Sequence, residues 1–220
     1  MGEIGVYEAM STLRAVRRLR PDPVPDDVLR RVIEAASWAP TGGNAQPWRV
    51  IAVCEAPRKQ RLGELYAHSW NAYVEHHRKL IADAPAAAKE RVEKMFAAGN
   101  YLAEHFGEVP VVLVFCFNPQ QMAITDAKLD RVSVVGGGSV YPAVENALLA
   151  CRAEGLGCVL TTLLCESETS VRALLEIPEP WGTAAAVPIG YPLLRGHGPI
   201  SRRPVDKLAF RDAWGRAFGS

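Results

Sequence analysis

One loop organises this sequence, Pro40-Thr41-Gly42-Gly43-Asn44-Ala45-Gln46-Pro47-Trp48, and it joins a helical pattern to a short apolar run. Two prolines and two glycines fix its bends, while Thr41, Asn44 and Gln46 add hydrogen-bonding side chains. A loop that only reverses the chain needs no such set of polar groups ahead of a tryptophan. We therefore expect the loop to form one wall of a cofactor pocket.

Length and charge argue against several classes of protein. The chain has 220 residues, 49% hydrophobic and 22% charged, so we expect one folded domain, 1–220, with a sizeable core. Its 25 basic and 24 acidic residues leave a net charge of +1, which argues against binding to nucleic acid or to a membrane surface. No apolar run approaches the roughly 20 residues that cross a bilayer.

Cysteine usage and the N-terminus indicate a cytoplasmic protein. Residues 1–10 lack a basic segment followed by an apolar run, so no secretory signal is expected. The cysteines are widely spaced, with no C-x-x-C pair, and their number is odd. We expect reduced thiols, mostly in the core, at Cys54, Cys116, Cys151, Cys158 and Cys165.

Hydrophobic periodicity predicts an alternation of helices and strands. A first helix is expected from Val6 through 13–20, and a second, with acidic residues in its first turn, is stopped by Pro40. A later helix is expected to begin after an N-cap at Ser139. Shorter helical pieces are predicted at 169–175 and 207–218, and strands at 49–54, 109–117, 158–164 and 184–189.

This order predicts an α+β protein of mixed α/β layers, in which helices cover both faces of a central mixed sheet. The run at 109–117 is apolar throughout and is predicted as the central strand. Residues 57–108 are helix-prone, charged and rich in aromatic side chains. We expect two or three outer helices there, forming a helical insert or cover.

The common nucleotide and metal motifs are missing or incomplete in this sequence. Gly136 and Gly138 fill two positions of a G-x-G-x-x-G fingerprint, but Tyr141 stands at the third and no acidic residue follows at the expected distance. Close packing ahead of a helix is the better interpretation of these glycines. The histidines lack metal-ligand spacing and no nucleophile–base set stands out, so we predict no metal site and no catalytic side chain.

Two basic clusters are candidates for a phosphate site. Arg14, Arg17 and Arg18 fall at i, i+3 and i+4, so on a helix they would share one side. Arg202 and Arg203 form a second pair far along the chain, and guanidinium groups from two segments bind phosphate oxygens in pairs. From the residues alone, a solvated basic face is the commoner explanation of such a run.

The basic run and the opening loop together resemble one known family. RAVRRLRPDPVP at 14–25, a helix, and APTGGNAQPW at 39–48 are similar to the N-terminal signature of the FMN-dependent nitroreductases. The similarity continues in ENALLA at 145–150, GLG at 155–157, GYP at 190–192 and SRRP at 201–204, and so covers most of the chain outside 57–108. The resemblance implies a nitroreductase-like fold in an intertwined homodimer.

The resemblance also implies where FMN is bound. Its phosphate and the polar edge of its ring would be held by Arg14, Ala15, Arg17 and Arg18, with Arg202 and Arg203 completing the phosphate site. Ala15 departs from the usual Ser and Ile200 from the Lys of some members, which shifts the phosphate further onto the arginines.

Two more segments match positions around the flavin ring. The segment beside the isoalloxazine corresponds to Leu160, Thr161, Thr162 and Leu163, and we expect the N–H of Thr162 to meet flavin N5. The loop that reaches the flavin of the partner subunit corresponds to Pro40, Thr41, Gly42 and Asn44.

The implied activity is that of an FMN-dependent oxidoreductase. NAD(P)H would deliver hydride to the flavin, and a small electron-poor acceptor, such as a nitroaromatic or a quinone, would then take its place. Trp70, Tyr73 and Phe106 are candidates for a substrate wall, although helix packing is the commoner role of such rings. The alternatives are a reductive dehalogenase, an ene-reductase or a flavin-fragmenting enzyme of the same fold, or a flavin-binding store or sensor without turnover.

Overall fold

A computed structural model describes residues 4–218 and places a four-stranded sheet at the centre of the molecule. Strand β2 (Val111–Phe117) is central, as its continuous hydrophobicity predicts, and lies between β1 (Trp48–Val53) and β4 (Gly182–Gly190). The short strand β3 (Gly157–Cys158) completes the order β1-β2-β4-β3. In this register Trp48 lies opposite Phe117, at the end of the sheet that the opening loop enters.

The side chains of β2 alternate between two hydrophobic cores, so helices cover both faces of the sheet. Leu113 and Phe115 pack in one core with α2 and α5, whereas Val112 and Val114 pack in the other with α3, α4 and α6. The α-helices of residues 4–218 are α1 (Val6–Thr12), α2 (Asp26–Ser37), α3 (Ala56–Leu80), α4 (Ala86–His105), α5 (Tyr141–Ala153) and α6 (Glu168–Leu175). None of them is both long enough and apolar enough to span a membrane.

The prediction of an α+β protein with helices on both faces is confirmed, but the predicted mixed sheet needs correction. Every strand pair within residues 4–218 is antiparallel. A strand that is buried on both faces has a continuous apolar sequence whichever way its neighbours run. Hydrophobicity therefore located the central strand without determining its direction relative to the others.

The predicted first helix is too long. Helix α1 ends at Thr12, and residues 13–20 are extended. The N–H of Val16 donates to Cys158 O at 2.8 Å and the N–H of Arg20 donates to Tyr191 O at 2.8 Å, so this segment is fixed against the end of the sheet. These long-range backbone bonds override the helical spacing of the side chains. The arginines at 14, 17 and 18 therefore do not share one helical face.

The strand predicted at 158–164 is also shorter than expected. It ends at Cys158, and only Thr161 beyond it pairs with β4, exchanging backbone bonds of 2.9 and 2.8 Å with Ala186. The Thr161 hydroxyl accepts the N–H of Leu163 at 3.3 Å. Because this local bond competes with a continued ladder, a 3₁₀ turn at Leu163–Ser167 follows instead.

Two further helix predictions are corrected. Ser139 does not cap α5, which begins at Tyr141; its hydroxyl instead accepts the N–H of Gly42 in the opening loop at 3.3 Å. The tail at 207–218 forms turns rather than a helix. Asp212 and Gly215 both have left-handed φ values, 62° and 83°, which a continuous helix does not tolerate.

The region predicted as a helical cover contributes directly to the core. Its helices are α3 and α4, followed by a 3₁₀ turn at Phe106–Glu108. The rings of Tyr66 and Phe106 stack at 4.7 Å, Trp70 lies 6.3 Å from Tyr66, and all three are at most 5% exposed. This region is therefore a structural layer of the second core.

Candidate functional site

A cavity of about 290 Å³ brings together residues that lie almost two hundred positions apart in sequence. The predicted phosphate residues Arg14, Arg17 and Arg202 line it, together with Ala15 and the predicted ring residue Leu160. The rest of the lining comes from α1, the start of the extended segment, α5 and the end of β3: Met10, Leu13, Glu145, Leu148, Cys158 and Val159. We call this the first arginine cavity.

Arg14 is held in place at both its backbone and its side chain. Its Nε donates to Gly196 O at 2.7 Å, and its backbone N–H donates to Nδ1 of His197 at 3.4 Å. The opposite nitrogen of His197, Nε2, donates to Leu156 O at 2.8 Å. These partners require a neutral imidazole with its proton on Nε2. Burial, the largest cause, lowers the pKa of His197 below its ordinary value, which favours that neutral form.

The arginines of this cavity are not engaged in ion pairs with residues 4–218. Within residues 4–218, no carboxylate lies within 4.0 Å of the guanidinium nitrogens of Arg14, Arg17 or Arg202. Glu145 is the acidic residue of the lining. Planar guanidinium groups without anionic partners are suited to bind a phosphate in pairs.

A second, more apolar cavity of about 540 Å³ continues from the same chain segment. Thr162 and Leu163 line it and Leu160 lines the first arginine cavity, so the short segment 160–163 contributes to both. Helix α5 also contributes to both, with Leu148 in the first and Tyr141 in the second. These two residues are about 10 Å apart along the helix axis at 1.5 Å per residue. The arrangement suits an elongated ligand with a charged end and an apolar end.

Two side chains that line the apolar cavity, Tyr141 and Cys165, are hydrogen-bonded to strand β4, and Glu166 is the acidic residue of the lining. Tyr141 donates its hydroxyl to Ala184 O at 3.1 Å, and the thiol of Cys165 donates to Thr183 O at 3.3 Å. Burial raises the pKa of both the Tyr141 hydroxyl and the Cys165 thiol. A thiol with a raised pKa is a poor nucleophile, so Cys165 acts as wall rather than as a reactive group.

One buried carboxylate organises the loop that carries Met122 and Ile124 to this cavity. Asp126 accepts the hydroxyl of Ser133 at 2.6 Å, the guanidinium of Arg131 at 2.7 Å and the N–H of Val134 at 3.0 Å. These donors, with Ser133 the largest contributor, hold the pKa of Asp126 well below its usual range. The loop is therefore closed around an ionised carboxylate.

The opening loop forms no part of either cavity. It contains a 3₁₀ turn at Gly42–Asn44, with left-handed φ values of 58° at Gly43, 54° at Asn44 and 47° at Gln46. The N–H of Gln46 donates to the Thr41 hydroxyl at 3.0 Å, which stabilises this bend. Left-handed non-glycine residues are uncommon and mark a conformation that the surroundings impose. The expected contact of this loop with a partner's flavin stays a prediction.

The sequence and the fold of this chain are similar to those of known proteins. The model of the Nitroreductase family matches residues 12–191. The chain belongs to the nitroreductase family.

Two curated relatives of this nitroreductase-family chain match it over nearly their whole length. NADH dehydrogenase of Thermus thermophilus is 32% identical over 201 residues, which is 89% of this chain and 90% of that protein. 5,6-dimethylbenzimidazole synthase of Rhodospirillum rubrum is 29% identical over 203 residues, 87% of each chain. Among solved structures, the NADPH:FMN oxidoreductase from Vibrio harveyi complexed with NAD+ has a TM-score of 0.67 at 18% identity, covering 95% of this chain and 77% of that one.

Several of the predicted site residues of this nitroreductase-family chain line neither of the two cavities. Arg18 stacks on Tyr101 of α4, 4.3 Å from the ring centroid, and Arg203 is exposed and lines neither cavity. Phe106 is fully buried, Trp70 is 5% exposed and Tyr73 is partly buried against the same core. A fully buried ring offers a substrate no surface, so the packing role is favoured for Phe106 and Trp70.

Sequence reasoning missed Glu145, Tyr141, Cys165 and His197. The first three belong to segments whose apolar pattern indicates core, and nothing in that pattern marks a residue at a cavity mouth. His197 stands between Gly196 and Gly198, which is a signal of a tight turn around a functional side chain. Within residues 4–218, no group of three or more His, Cys, Asp or Glu side chains is arranged to hold a metal.

Replacing His197 by Phe is expected to lower the free energy of unfolding by about 1–3 kcal/mol at neutral pH, because a buried acceptor and the Arg14 N–H lose their partner. The pKa of His197 is lowered on folding, so the contribution of the neutral ring is fully present above about pH 6.5 and is lost as the pH falls towards the folded pKa. Urea denaturation at neutral and at mildly acidic pH measures this difference between the unaltered chain and the variant.

The matched control is His68→Phe, since His68 is an exposed histidine on α3. The assigned tautomer would be contradicted if the difference in free energy of unfolding between His197→Phe and the unaltered chain were the same at both pH values.

Proposed function

We propose that this chain is an FMN-dependent oxidoreductase that takes hydride from NADH or NADPH and reduces a small electron-poor acceptor, such as a nitroaromatic or a quinone. One observation carries the proposal. Unpaired arginines line one cavity, and the short segment 160–163 lines that cavity at Leu160 and a more apolar cavity at Thr162 and Leu163. FMN has one phosphate at one end and a flat aromatic ring at the other, which matches this pair of cavities.

The residues at each end fit the group that they would hold. Arg14, Arg17 and Arg202 would bind the phosphate through charged hydrogen bonds, with no carboxylate within 4.0 Å in residues 4–218 to compete for them. Thr162 is exposed, and its backbone N–H makes no hydrogen bond to residues 4–218. That free donor supports Thr162 as the group that bonds the ring edge.

The chemistry comes from the cofactor, and the protein controls what reaches it. When bound, FMN supplies two-electron transfer between the nicotinamide donor and the acceptor. The side chains of Leu163, Ile124 and Met122 exclude water from the apolar cavity, while His197 fixes the backbone of Arg14 and so the position of the phosphate. No acid–base residue is required of the chain for this reaction.

The experiment that tests the reductase is anaerobic mixing of the FMN-loaded protein with NADH and, separately, with NADPH. We expect the visible flavin absorbance to be lost on mixing with at least one donor. It should return when a nitroaromatic or a quinone is added. If FMN stays fully oxidised with both donors, the reductase proposal is contradicted, and the chain is a flavin-binding protein without turnover.

Arg14→Ala and Arg202→Ala are each expected to weaken FMN binding by about 1.5–3 kcal/mol, since each removes charged hydrogen bonds to the phosphate. Titration of the apoprotein with FMN, followed by quenching of flavin fluorescence, measures the change. Riboflavin, which lacks the phosphate, should lose little affinity in the same variants. Arg91→Ala, on the exposed side of α4, is the control. Equal FMN affinity in all four proteins would show that the phosphate site is misplaced.

A second candidate function is favoured by one relative. The similarity to 5,6-dimethylbenzimidazole synthase from Rhodospirillum rubrum extends over 87% of both chains, and it keeps the flavin-fragmenting alternative open. Product analysis separates the two functions, because an oxidoreductase returns intact FMN after turnover, whereas a flavin-fragmenting enzyme consumes it.

We further propose a homodimer with the opening loop of each subunit at the flavin of the other. Large apolar side chains stand exposed on three separate segments, with Tyr7 85%, Val132 84% and Trp214 92% accessible. Such exposure is characteristic of surfaces that a partner covers.

The five free thiols favour a reducing compartment such as the cytoplasm.

Sedimentation equilibrium of the FMN-loaded protein tests this assembly and should give twice the chain mass of 24.0 kDa. Trp214→Ser and Val132→Ser should shift the equilibrium towards monomer, because each removes apolar area from the contact. A chain that is monomeric while fully loaded with FMN would rule out a shared site.

A further inference from the structure

A second arginine-rich cavity borders the same extended segment. It has a volume of about 340 Å³, and four arginines line it: Arg14, Arg17, Arg18 and Arg195. Arg14 and Arg17 also line the first arginine cavity, whereas Arg18 and Arg195 line this one alone. Ala98 of α4 and Leu194 provide apolar surface beside them. We call this the second arginine cavity.

Two of the four arginines, Arg14 and Arg18, have side chains that are held by contacts within the fold. The guanidinium of Arg18 lies 4.3 Å from the ring centroid of Tyr101, and its backbone carbonyl accepts the N–H of Leu193 at 2.9 Å. Arg195 precedes Gly196, which has a left-handed φ of 71° and whose carbonyl accepts from Arg14 Nε at 2.7 Å. Stacking restrains the Arg18 side chain and so reduces the side-chain entropy that binding would otherwise cost, while the backbone bond at Arg18 fixes the position of its segment.

The charge of this cavity is not neutralised by the chain. No acidic residue lines it, and none of its four arginines has a carboxylate within 4.0 Å among residues 4–218. The groove on α2 is different, because Arg30 there shares the lining with acidic residues, Asp26, Asp27 and Glu34. Clustered guanidinium groups repel one another, and a bound polyanion relieves that repulsion.

We propose that the second arginine cavity binds a phosphate group of the nicotinamide dinucleotide donor. This inference rests on the proposed function and deepens it by assigning a donor site. FMN carries a single phosphate, for which Arg14, Arg17 and Arg202 already provide a cavity. The donor carries a pyrophosphate and, in NADPH, a further 2′-phosphate, and it must approach the same flavin. Arg18 and Arg195 are therefore the residues that hold the donor without contacting the flavin phosphate.

Calorimetric titration of the FMN-loaded protein tests the site without turnover. The probes are inorganic pyrophosphate and adenosine 2′,5′-bisphosphate, at one fixed ionic strength. Arg195→Gln and Arg18→Gln should each weaken binding of at least one probe by about tenfold or more, because each removes charged hydrogen bonds to a phosphate. Arg91→Gln, on the exposed side of α4, should leave both affinities unchanged. FMN affinity should be unchanged in Arg195→Gln.

The two phosphates of the donor are distinguished by steady-state kinetics of the same variants. A higher KM for NADPH alone assigns the 2′-phosphate to the cavity, and a higher KM for both NADPH and NADH assigns the pyrophosphate; both results support a donor site. Probe binding that is the same in the unaltered protein and both variants overturns the proposal. A loss of FMN affinity in Arg195→Gln also overturns it, since the cavity would then belong to the flavin.

Failure of this inference is separable from failure of the proposed function. If the probes bind through Arg195 but the flavin is not bleached by NAD(P)H, the phosphate site is supported and the reductase proposal is contradicted. If the flavin is bleached by NAD(P)H but the probe affinities are unchanged in the Arg18 and Arg195 variants, the reductase proposal is supported and the donor-phosphate site is contradicted.

Discussion

The candidate site depends on the backbone pairing that holds residues 13–20 extended against the end of the sheet. Val16 donates to Cys158 O and its side chain enters the core, close to Gly157, where any Cβ would lie 2.7 Å from Val16 Cγ1. A side chain at 157 would push the segment away from the sheet. Because side chains of an extended segment alternate in direction, burying Val16 turns Ala15 and Arg17 away from the core. The arginines are thus placed by a close contact that involves none of them.

The parts of the fold that local burial determines were predictable from sequence. Helix α2 repeats its apolar residues at helical spacing between a proline and a stop at Pro40, and β2 is apolar at every position, so both were located closely. Strand direction and the length of α1 were not predictable in this way. Both depend on hydrogen bonds between residues far apart in sequence, and periodicity carries no information about such partners.

The sequence grouped several residues that line one cavity, but it did not predict how they come together. Arg14, Arg17, Arg202 and Leu160 do line one cavity, although the helical spacing that first grouped the arginines does not exist in the structure. The motif resemblance grouped these residues by their identity, which does not depend on the local conformation. It was silent about His197, whose two partners, Arg14 and Leu156, adjoin it only after folding.

The opening loop keeps a different status from the rest of the site. Its strained bend is stabilised by Thr41 and by Ser139 of the segment before α5, yet none of its residues lines either of the two cavities of the candidate site. A single chain therefore shows how the loop is held in shape, whereas its function depends on what lies against it.

The wall shared by the two arginine cavities has a thermodynamic consequence. Arg14 and Arg17 face both, so an anion that occupies one cavity reduces the positive potential in the other. The two occupancies are then coupled unfavourably, and by reciprocity each weakens the other by the same factor. A cofactor that stays bound would thus keep the neighbouring cavity permanently weakened towards its own ligand. Weak binding means fast dissociation, and a site that must admit two different reactants in turn benefits from releasing the first one quickly.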